Sequence, residues 1–438
     1  MSGLAGPGSL QSLGRSHSHS RRRHGRSPVG ARRSPRTGGR SPRARRLRLP
    51  VVLVGAFLVF ALVQWLRPAP SASITAVSTD FSVPGRTQLP WPSQGSAAVA
   101  VPGVGVVGTS GSSTPAPIAS ITKVMTALLT LHDHPLAAGD PGPTISITSA
   151  DVAEYQSDVA TQQSVVAVAA GEQLTEVQAL EGLLIPSGNN MADVLARWDA
   201  GSVSAFVADM NHEAAALGLH HTHYASPSGL DPRSVSTPAD LVRLGEVAMA
   251  NPVFASIVGM AQATLPVAGT VYNYNYNLGK DGFVGIKTGS DSQAGGCYLF
   301  EANVASGAGK VPVVGAVLGQ QAAPIVQSAL NAGTALVQGL APQLSERQLV
   351  RAGQKVAELV TPWGAGTAVV TASSVSTLAW PGLSVTGHLY WDHLGSTVRA
   401  GQRLGTLRLD ADGTVHEVPV VAARSVGGPG FGFDLGDV

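Results

Sequence analysis

The chain has 438 residues, with 29 Lys and Arg against 27 Asp and Glu, and therefore a formal net charge of +2. This length suits two or three domains with a sizeable core, and a single cysteine excludes an internal disulfide. The near-neutral total hides an asymmetry, because residues 1–79 contain 14 Arg and no acidic residue, whereas the remainder is strongly acidic.

Residues 1–49 are predicted to form a disordered, Arg-rich cytoplasmic tail, because they combine 13 Arg with Ser, Pro and Gly and offer almost nothing to bury. Such a tail can bind nucleic acid or acidic lipid. The interpretation favoured here is positive charge that keeps the N-terminus in the cytoplasm, so no specific nucleic-acid partner is predicted.

Residues 50–66 (PVVLVGAFLVFALVQWL) contain no charge, and 17 helical residues extend about 25 Å, enough to cross a bilayer core. They are predicted to be an uncleaved transmembrane anchor, with the remaining chain outside the cell membrane. A cleaved signal peptide is the alternative, because small residues follow at 71–73, but the preceding basic region is long for one.

The rest of the chain divides into four predicted segments. Residues 67–94, rich in Pro, Ser and Thr, resemble an extracytoplasmic stalk. Residues 95–342 alternate a hairpin, helices, strands and a last helix, which indicates an α+β domain. Residues 343–425 show short β-like runs between Gly and Pro turns, which indicates a small all-β domain. Residues 426–438 are predicted to be a flexible tail.

A serine and a lysine lie three residues apart where a helix is predicted to begin. Ser120 precedes Lys123, just ahead of an apolar run, and positions i and i+3 share a helix face. The pair gives a hydroxyl nucleophile a neighbouring amine that can take its proton. An ordinary helix start can carry the same pair, so the spacing alone does not decide.

Two further short motifs follow in the same domain. Ser187-Gly188-Asn189 lies in a predicted turn between helices, and Lys287-Thr288-Gly289 ends a predicted strand. Ser-x-x-Lys, Ser-x-Asn and Lys-Thr-Gly, in this order, form the signature of penicillin-binding proteins and class A β-lactamases. The order and the structural context of the three motifs make a shared site the favoured interpretation.

Through these motifs, residues 95–340 resemble the low-molecular-mass penicillin-binding proteins that are serine-type D-alanyl-D-alanine carboxypeptidases. Gly188 in the middle motif is usual there, whereas β-lactamases carry Asp. The resemblance implies a β-lactamase/transpeptidase-like domain, with an antiparallel sheet flanked by helices. The stretches around Ser228-Gly229 and the C-terminal β-domain also resemble that family.

The resemblance implies a role for each residue of the first two motifs. Ser120 would attack the carbonyl of the penultimate D-Ala, with Lys123 as its base. Burial and the nearby cation Lys287 would both lower the pKa of Lys123, as a base at neutral pH requires. Ser187 would relay a proton to the leaving amine, and Asn189 would hold Lys123 or the substrate amide.

The third motif is predicted to bind the substrate. Lys287 and Thr288 would hold the terminal carboxylate of the peptide. Gly289 would let the substrate backbone lie close to the strand. By resemblance, the backbone N–H groups of Ser120 and Ser290 would form the oxyanion hole.

The expected function is removal of the terminal D-Ala from peptidoglycan stem pentapeptides through an acyl-enzyme, with β-lactams as covalent inhibitors. A DD-endopeptidase and a catalytically idle wall-peptide-binding module remain alternatives. No cofactor or metal site is predicted: His221 and His223 have a metal-like spacing but no evident third ligand. Cys297 is interpreted as a small packed residue rather than a reactive thiol.

Overall fold

The protein is described by a computed structural model that covers residues 43–66, 71–77, 79–307, 309–395, 397–411 and 414–428. The chain divides into two compact units, residues 1–67 and residues 68–438. Most of the predicted disordered tail and the end of the predicted C-terminal tail lie outside the described residues. A helix begins at Arg43, inside the segment predicted as tail, rather than at Pro50.

Within the described residues, the α-helices are α1 (Arg43–Trp65), α2 (Lys123–Asp133), α3 (Ser149–Ala160), α4 (Glu176–Leu184), α5 (Asn189–Ala200), α6 (Val203–Ala216), α7 (Pro238–Met249), α8 (Pro252–Val258) and α9 (Ile325–Leu340). Short 3₁₀ turns precede α2 (Ala119–Thr122) and follow α9 (Ala341–Gln343).

The strands up to the middle of the chain are β1 (Ser73–Ala76), β2 (Phe81–Ser82), β3 (Ser96–Val101), β4 (Gly105–Ser110), β5 (Ala116–Pro117), β6 (Thr144–Ser146), β7 (Gln173–Thr175), β8 (Val235–Ser236), β9 (Gln262–Leu265) and β10 (Gly269–Tyr272). Those that follow are β11 (Phe283–Asp291), β12 (Gly295–Ser306), β13 (Gly309–Gln320), β14 (Ser345–Val350), β15 (Lys355–Val360), β16 (Gly366–Thr371), β17 (Val375–Ala379), β18 (Ser384–Trp391), β19 (Arg403–Ala411) and β20 (Thr414–Ala422).

The apolar part of α1 covers Pro50–Val63. Among the described residues, no single helix has the length and hydropathy of a membrane span, and only the bent pair α7 and α8 passes jointly by length and composition. The transmembrane anchor at residues 50–66 therefore stays a prediction.

The centre of the larger unit is an antiparallel sheet in the order β11-β12-β13-β3-β4. Successive strand residues face opposite sides, so the two faces enter different cores. Ala98 and Ala100 of β3 join the core beneath α2 and α5, whereas Ala97 and Val99 join the core that contains α9. The predicted α+β domain with an antiparallel sheet and flanking helices is confirmed.

The second sheet has the order β1-β15-β16-β20-β19-β18-β2 among the described strands. Its inner residues share one apolar core with α9 and the outer face of the central sheet. The structure differs from the predicted stalk, because residues 67–94 supply β1 and β2, the two edge strands of this sheet. The pairing brings together residues far apart in the chain, which local composition cannot reveal.

Side-chain caps begin several of the helices around the site. A capping box of Thr175 and Gln178 opens α4, and Thr237 caps α7 with Pro238 at its first position. Because such caps satisfy backbone N–H groups that the helix leaves free, they define where α4 and α7 start. A similar box at Thr148 opens α3, a helix that the sequence analysis does not predict.

Candidate active site

Ser120 lies in the 3₁₀ turn Ala119–Thr122, and Lys123 is the first residue of α2. The structure thus differs slightly from the predicted α-helical first turn. Side chains at i and i+3 eclipse in a 3₁₀ turn, which brings the two groups together as predicted. The distance between Lys123 Nζ and Ser120 Oγ is 2.9 Å.

Lys123 is completely buried, yet its amine has well-placed acceptors. Its Nζ donates to Asn189 Oδ1 at 2.7 Å and to the backbone oxygen of Ser228 at 2.7 Å. Neither of these atoms can donate a proton. In the neutral amine, the two N–H groups therefore satisfy Asn189 and Ser228, and the nitrogen lone pair is left for the Ser120 hydroxyl.

Burial lowers the pKa of Lys123 well below its ordinary value, and the charge of Lys287 lowers it further, against an opposing effect of Asp193. Loss of hydration disfavours the ammonium form, and a second cation repels it. The two causes that the sequence analysis predicts for this shift are confirmed. The geometry and the electrostatics both favour a neutral amine beside Ser120.

The middle motif forms a tight turn into α5. Ser187 has a left-handed backbone (φ 63°), and a Cβ on Gly188 would lie 2.9 Å from the backbone oxygen of Gly182, so the turn has no room for the Asp of β-lactamases. Asn189 Oδ1 accepts from Lys123 Nζ at 2.7 Å, and its Nδ2 donates to Gln163 Oε1 at 2.8 Å, which leaves one N–H of Nδ2 for a further acceptor. Of the two predicted roles for Asn189, the structure shows the contact with Lys123, and contact with the substrate amide stays a prediction.

Ser187 points its hydroxyl into the same region. It is almost fully buried, and its Oγ has no hydrogen-bond partner within the part of the chain that the structure describes. A buried hydroxyl without a partner is costly unless a ligand or a transient species uses it. This observation suits the predicted proton relay, which stays a prediction.

Gly289 has a structural reason in addition to the one predicted. A Cβ at this position would lie 2.9 Å from the backbone oxygen of Ile118 and 3.1 Å from the backbone N of Ser120. The missing side chain therefore allows β11 to pack against the 3₁₀ turn that carries Ser120. Close approach of protein backbone therefore requires glycine here, and the predicted approach of substrate backbone stays a prediction.

The cleft has a volume of about 220 Å³. It is lined by Ser120, Ser164, Ser187, Tyr274, Tyr276, Thr288, Gly289, Ser290 and Val326. Lys287 is not among these residues: it is buried, its Nζ donates to the backbone oxygen of Thr288 at 3.1 Å, and burial lowers its pKa to about 7. Contact of Lys287 with a carboxylate stays a prediction, whereas Thr288 and Ser290 reach the cleft.

Sequence reasoning misses several contributors to the site. Gln163 orients Asn189, and the backbone oxygen of Ser228 orients Lys123. Gly229, beside Ser228, has φ +79°, and a Cβ there would collide with the backbone of Ala119. The sequence points to Ser228-Gly229 only through its resemblance to the family. For the tyrosines of the cleft, the available signal is the alternation of Tyr and Asn over residues 272–277.

No group of three or more His, Cys, Asp or Glu within the described part of the chain has the arrangement of a metal site. His221 Nδ1 lies 3.9 Å from Asp240 Oδ1 instead. Cys297 is buried next to the backbone oxygens of Pro117 and Ala294, and burial raises the pKa of its thiol to about 12. The predicted packing of Cys297 is therefore confirmed, and the raised pKa of its thiol disfavours the reactive thiolate.

Comparison with known protein families shows that residues 105–322 match the D-alanyl-D-alanine carboxypeptidases of peptidase family S11. The chain is 40% identical over 153 residues to the D-alanyl-D-alanine carboxypeptidase DacB2 of Mycobacterium tuberculosis, covering 34% of this chain and 48% of that protein. It is 32% identical over 226 residues to the D-alanyl-D-alanine carboxypeptidase of Streptomyces sp. strain K15, covering 48% of this chain and 74% of the relative.

Solved structures show the same similarity. The Streptomyces K15 DD-transpeptidase matches with a TM-score of 0.51 and 28% identity, covering 57% of this chain and 98% of that structure. Penicillin-binding protein 5 of Haemophilus influenzae matches over 78% of this chain and 98% of its own, with a TM-score of 0.56 and 19% identity. The second match supports the fold alone.

Proposed function

The chain belongs to the D-alanyl-D-alanine carboxypeptidase family of serine hydrolases, and from this we propose that it removes the terminal D-Ala of peptidoglycan stem pentapeptides through an acyl-enzyme on Ser120. One observation carries the proposal: a buried Lys123 of lowered pKa lies 2.9 Å from the Ser120 hydroxyl. This is the geometry of a nucleophile with its base.

Acylation begins with proton transfer. Neutral Lys123 accepts the proton of Ser120, and Oγ forms a bond to the carbonyl carbon of the penultimate D-Ala. The negative charge on the carbonyl oxygen is met by the backbone N–H groups proposed at Ser120 and Ser290, which is worth about 3–4 kcal/mol in comparable sites. Asn189 and Ser228 keep the amine aimed at Oγ throughout, because both accept its remaining N–H groups.

Breakdown of the intermediate returns the proton. The bond between the carbonyl carbon and the amide nitrogen breaks, and Lys123 gives its proton to the leaving amine, with Ser187 as the relay. Water then attacks the ester, Lys123 again takes a proton, and Ser120 Oγ is released with it. The free hydroxyl of Ser187 supports this relay, since its Oγ is buried and unpaired within the described structure.

The terminal carboxylate is proposed to bind Thr288 and Ser290, which line the cleft. Lys287 lies behind them and supplies positive potential while it is protonated. An anionic ligand raises the pKa of a neighbouring ammonium, so substrate binding favours the charged form of Lys287. An exopeptidase requires this recognition of a chain end by charge and hydrogen bonds.

The experiment compares wild type with Ser120→Ala in two assays: covalent labelling by a fluorescent penicillin, and D-Ala release from a peptide that ends in D-Ala-D-Ala. We expect both activities in wild type and neither in the variant. Labelling that survives in Ser120→Ala would remove Ser120 as the nucleophile. Folded wild-type protein that does neither would favour the idle binding module.

An endopeptidase activity is a second candidate, because the chain is 31% identical over 200 residues to the D-alanyl-D-alanine endopeptidase of Pseudomonas aeruginosa. The two activities share the acyl-enzyme and differ in what leaves it. The two activities are distinguished by incubating the enzyme with purified cross-linked peptide dimers and, in parallel, with the linear pentapeptide. Faster cleavage of the dimer would reassign the main activity.

We also propose that residues 50–66 anchor the protein in the cell membrane, with the catalytic domain outside. Support comes from the uncharged apolar stretch and from the 13 Arg that precede it in residues 1–49, because positive charge is retained on the cytoplasmic side. Val54→Asp combined with Leu58→Asp should release the protein from carbonate-washed membranes, since each charge at a helix centre costs about 3 kcal/mol. Val77→Asp, outside the segment, is the control.

A further inference from the structure

The segment just before β11 has an unusual alternation. Residues 272–277 read Tyr-Asn-Tyr-Asn-Tyr-Asn and contain three of the seven tyrosines of the chain. The asparagines and the tyrosines of this segment make different contacts. The asparagines bind the protein, whereas the tyrosines are exposed.

Each asparagine of the segment holds backbone in place. Asn273 donates through Nδ2 to the backbone oxygen of Met260 at 2.9 Å, and its Oδ1 accepts from the backbone N of Asn275 at 2.8 Å. Asn275 is buried, and its Oδ1 accepts from the Tyr298 hydroxyl at 2.9 Å. Asn277 donates to a backbone oxygen and a hydroxyl of α9 at 3.1 and 3.0 Å. Hydrogen bonds from the asparagine side chains to the rest of the protein therefore fix the backbone of the segment.

Tyr274 and Tyr276 project outward, with 43% and 55% of their surface exposed. Their hydroxyls make no hydrogen bond to any residue that the structure describes. Both residues line the same cleft as Ser120. Isolated exposed rings are common on protein surfaces, but two rings held beside a nucleophile by a fixed backbone form a preorganised contact surface.

We propose that Tyr274 and Tyr276 bind the side chain of the residue that precedes D-Ala-D-Ala in the donor peptide, and so determine substrate specificity. This inference rests on the proposed function. The length of the substrate peptide indicates that this residue, rather than the sugar, meets the two tyrosines. The cleft is small, and each residue advances an extended peptide by at most about 3.6 Å, so the sugar at the far end of a stem lies roughly 10 Å beyond the residue that enters the cleft.

The lining of the cleft indicates which side chains fit. Among the described residues that line it, none is acidic or basic, so a side-chain carboxylate finds no cation at the surface. Aromatic rings bury methylene groups and attract an ammonium to their faces. The two tyrosines therefore favour a long aliphatic side chain that ends in an amine, as in a diamino acid, over a short one.

The experiment measures kcat/KM for D-Ala release from two matched peptides, in which L-Lys or L-Ala precedes D-Ala-D-Ala. Wild type should prefer the Lys peptide. Tyr274→Ala and Tyr276→Ala should each lower kcat/KM for the Lys peptide by roughly 3- to 30-fold and change the Ala peptide less than about twofold. The Phe variants keep the rings and should keep the preference.

Tyr272→Ala is the matched control, because Tyr272 is 64% exposed on β10 and does not line the cleft. It should behave as wild type with both peptides. An equal loss on the two peptides, or the same change in Tyr272→Ala, would overturn the proposal. So would a loss that appears only when the stem carries its disaccharide, because the rings would then bind sugar.

Penicillin labelling of Ser120 separates this proposal from the proposed function. Complete covalent labelling of the tyrosine variants by penicillin, whatever its rate, shows an intact nucleophile. If wild type releases no D-Ala at all, the proposed reaction fails, but the subsite is still tested by calorimetric binding of the two peptides to Ser120→Ala protein. Tighter binding of the Lys peptide that depends on Tyr274 and Tyr276 supports the subsite, and equal binding overturns it.

Discussion

Lys123 beside Ser120 and Glu176 at the start of α4 are both fully buried ionisable groups of one domain, and their surroundings differ sharply. Lys123 Nζ lies 2.7–2.9 Å from Ser120, Asn189 and Ser228. Both carboxylate oxygens of Glu176 are buried without a hydrogen-bond partner among the described residues. Burial raises the pKa of Glu176 to about 7, with smaller effects from Asp199 and Asp140.

In both places burial favours the neutral form, which lowers the pKa of a lysine and raises that of a carboxyl. The difference lies in what the neutral form faces. The lone pair of Lys123 faces a hydroxyl in an open cleft, whereas Glu176 faces no described reactive group. A shifted pKa therefore identifies a catalytic candidate only together with the geometry around it.

The largest expected effect comes from Lys123. Lys123→Ala should lower penicillin acylation by about 10²–10⁴-fold, and Lys123→Arg should lose as much, because a guanidinium stays protonated and cannot accept a proton. Lys355→Ala, an exposed lysine paired with Glu358, is the control and should acylate normally. Acylation by the Arg variant at a rate near wild type would contradict the role of Lys123 as base.

A smaller effect is expected from a change at Gly289, where β11 packs against the backbone of the turn that carries Ser120. Gly289→Ala places a methyl group 2.9–3.1 Å from the backbone of the Ser120 turn, so turn and strand must separate by a few tenths of an ångström. Misplacement of reacting groups by about 1 Å costs about 100-fold, and we expect a loss of roughly 10-fold in acylation rate. Gly427→Ala, which has open space around it, should have no effect.

The pH dependence of turnover sharpens the comparison further. D-Ala release requires neutral Lys123, so kcat/KM should rise with pH through the lowered pKa of that residue. The pKa of Lys287 is about 7, so its positive charge is lost as the pH rises through 7, and kcat/KM should then fall. Lys287→Arg keeps the charge and should remove the falling limb of the pH profile measured with the free enzyme.

The smallest effect on activity is expected for Glu176→Gln, which should leave D-Ala release within about twofold of wild type. Its effect is on stability. The folded pKa of Glu176, about 7, lies above the unfolded value, so its contribution to stability is full at low pH and is lost as the pH rises through 7. From pH 5 to pH 8, the free energy of unfolding of wild type should therefore fall relative to that of the variant.

Urea denaturation at the two pH values measures this relative change, which we expect to be at least about 1 kcal/mol. Glu346→Gln, at an exposed position of β14, is the control and should show no such change. An activity loss in Glu176→Gln as large as that of Lys123→Ala would break the distinction between the two buried sites.

Much of the domain is predictable because its signals are local. The capping box at Thr175, the Pro-capped start of α7 and the helix at Ile325–Leu340 follow from neighbouring residues. The strand that carries Lys287 follows from an apolar run with glycines. The edge strands β1 and β2 escape prediction, because their hydrogen bonds are made with partners about 300 residues away.

Which residue types carry the chemistry follows from the sequence, because Ser120, Ser187, Asn189 and Lys287 stand in short motifs of recognisable order. How these residues act together depends on the tertiary structure. It buries Lys123 between acceptors from two separate segments, requires Gly289 for contact between backbones, and places Tyr274 and Tyr276 on the cleft. Burial, close approach and exposure depend on distances between segments, and these exist only once the chain has folded.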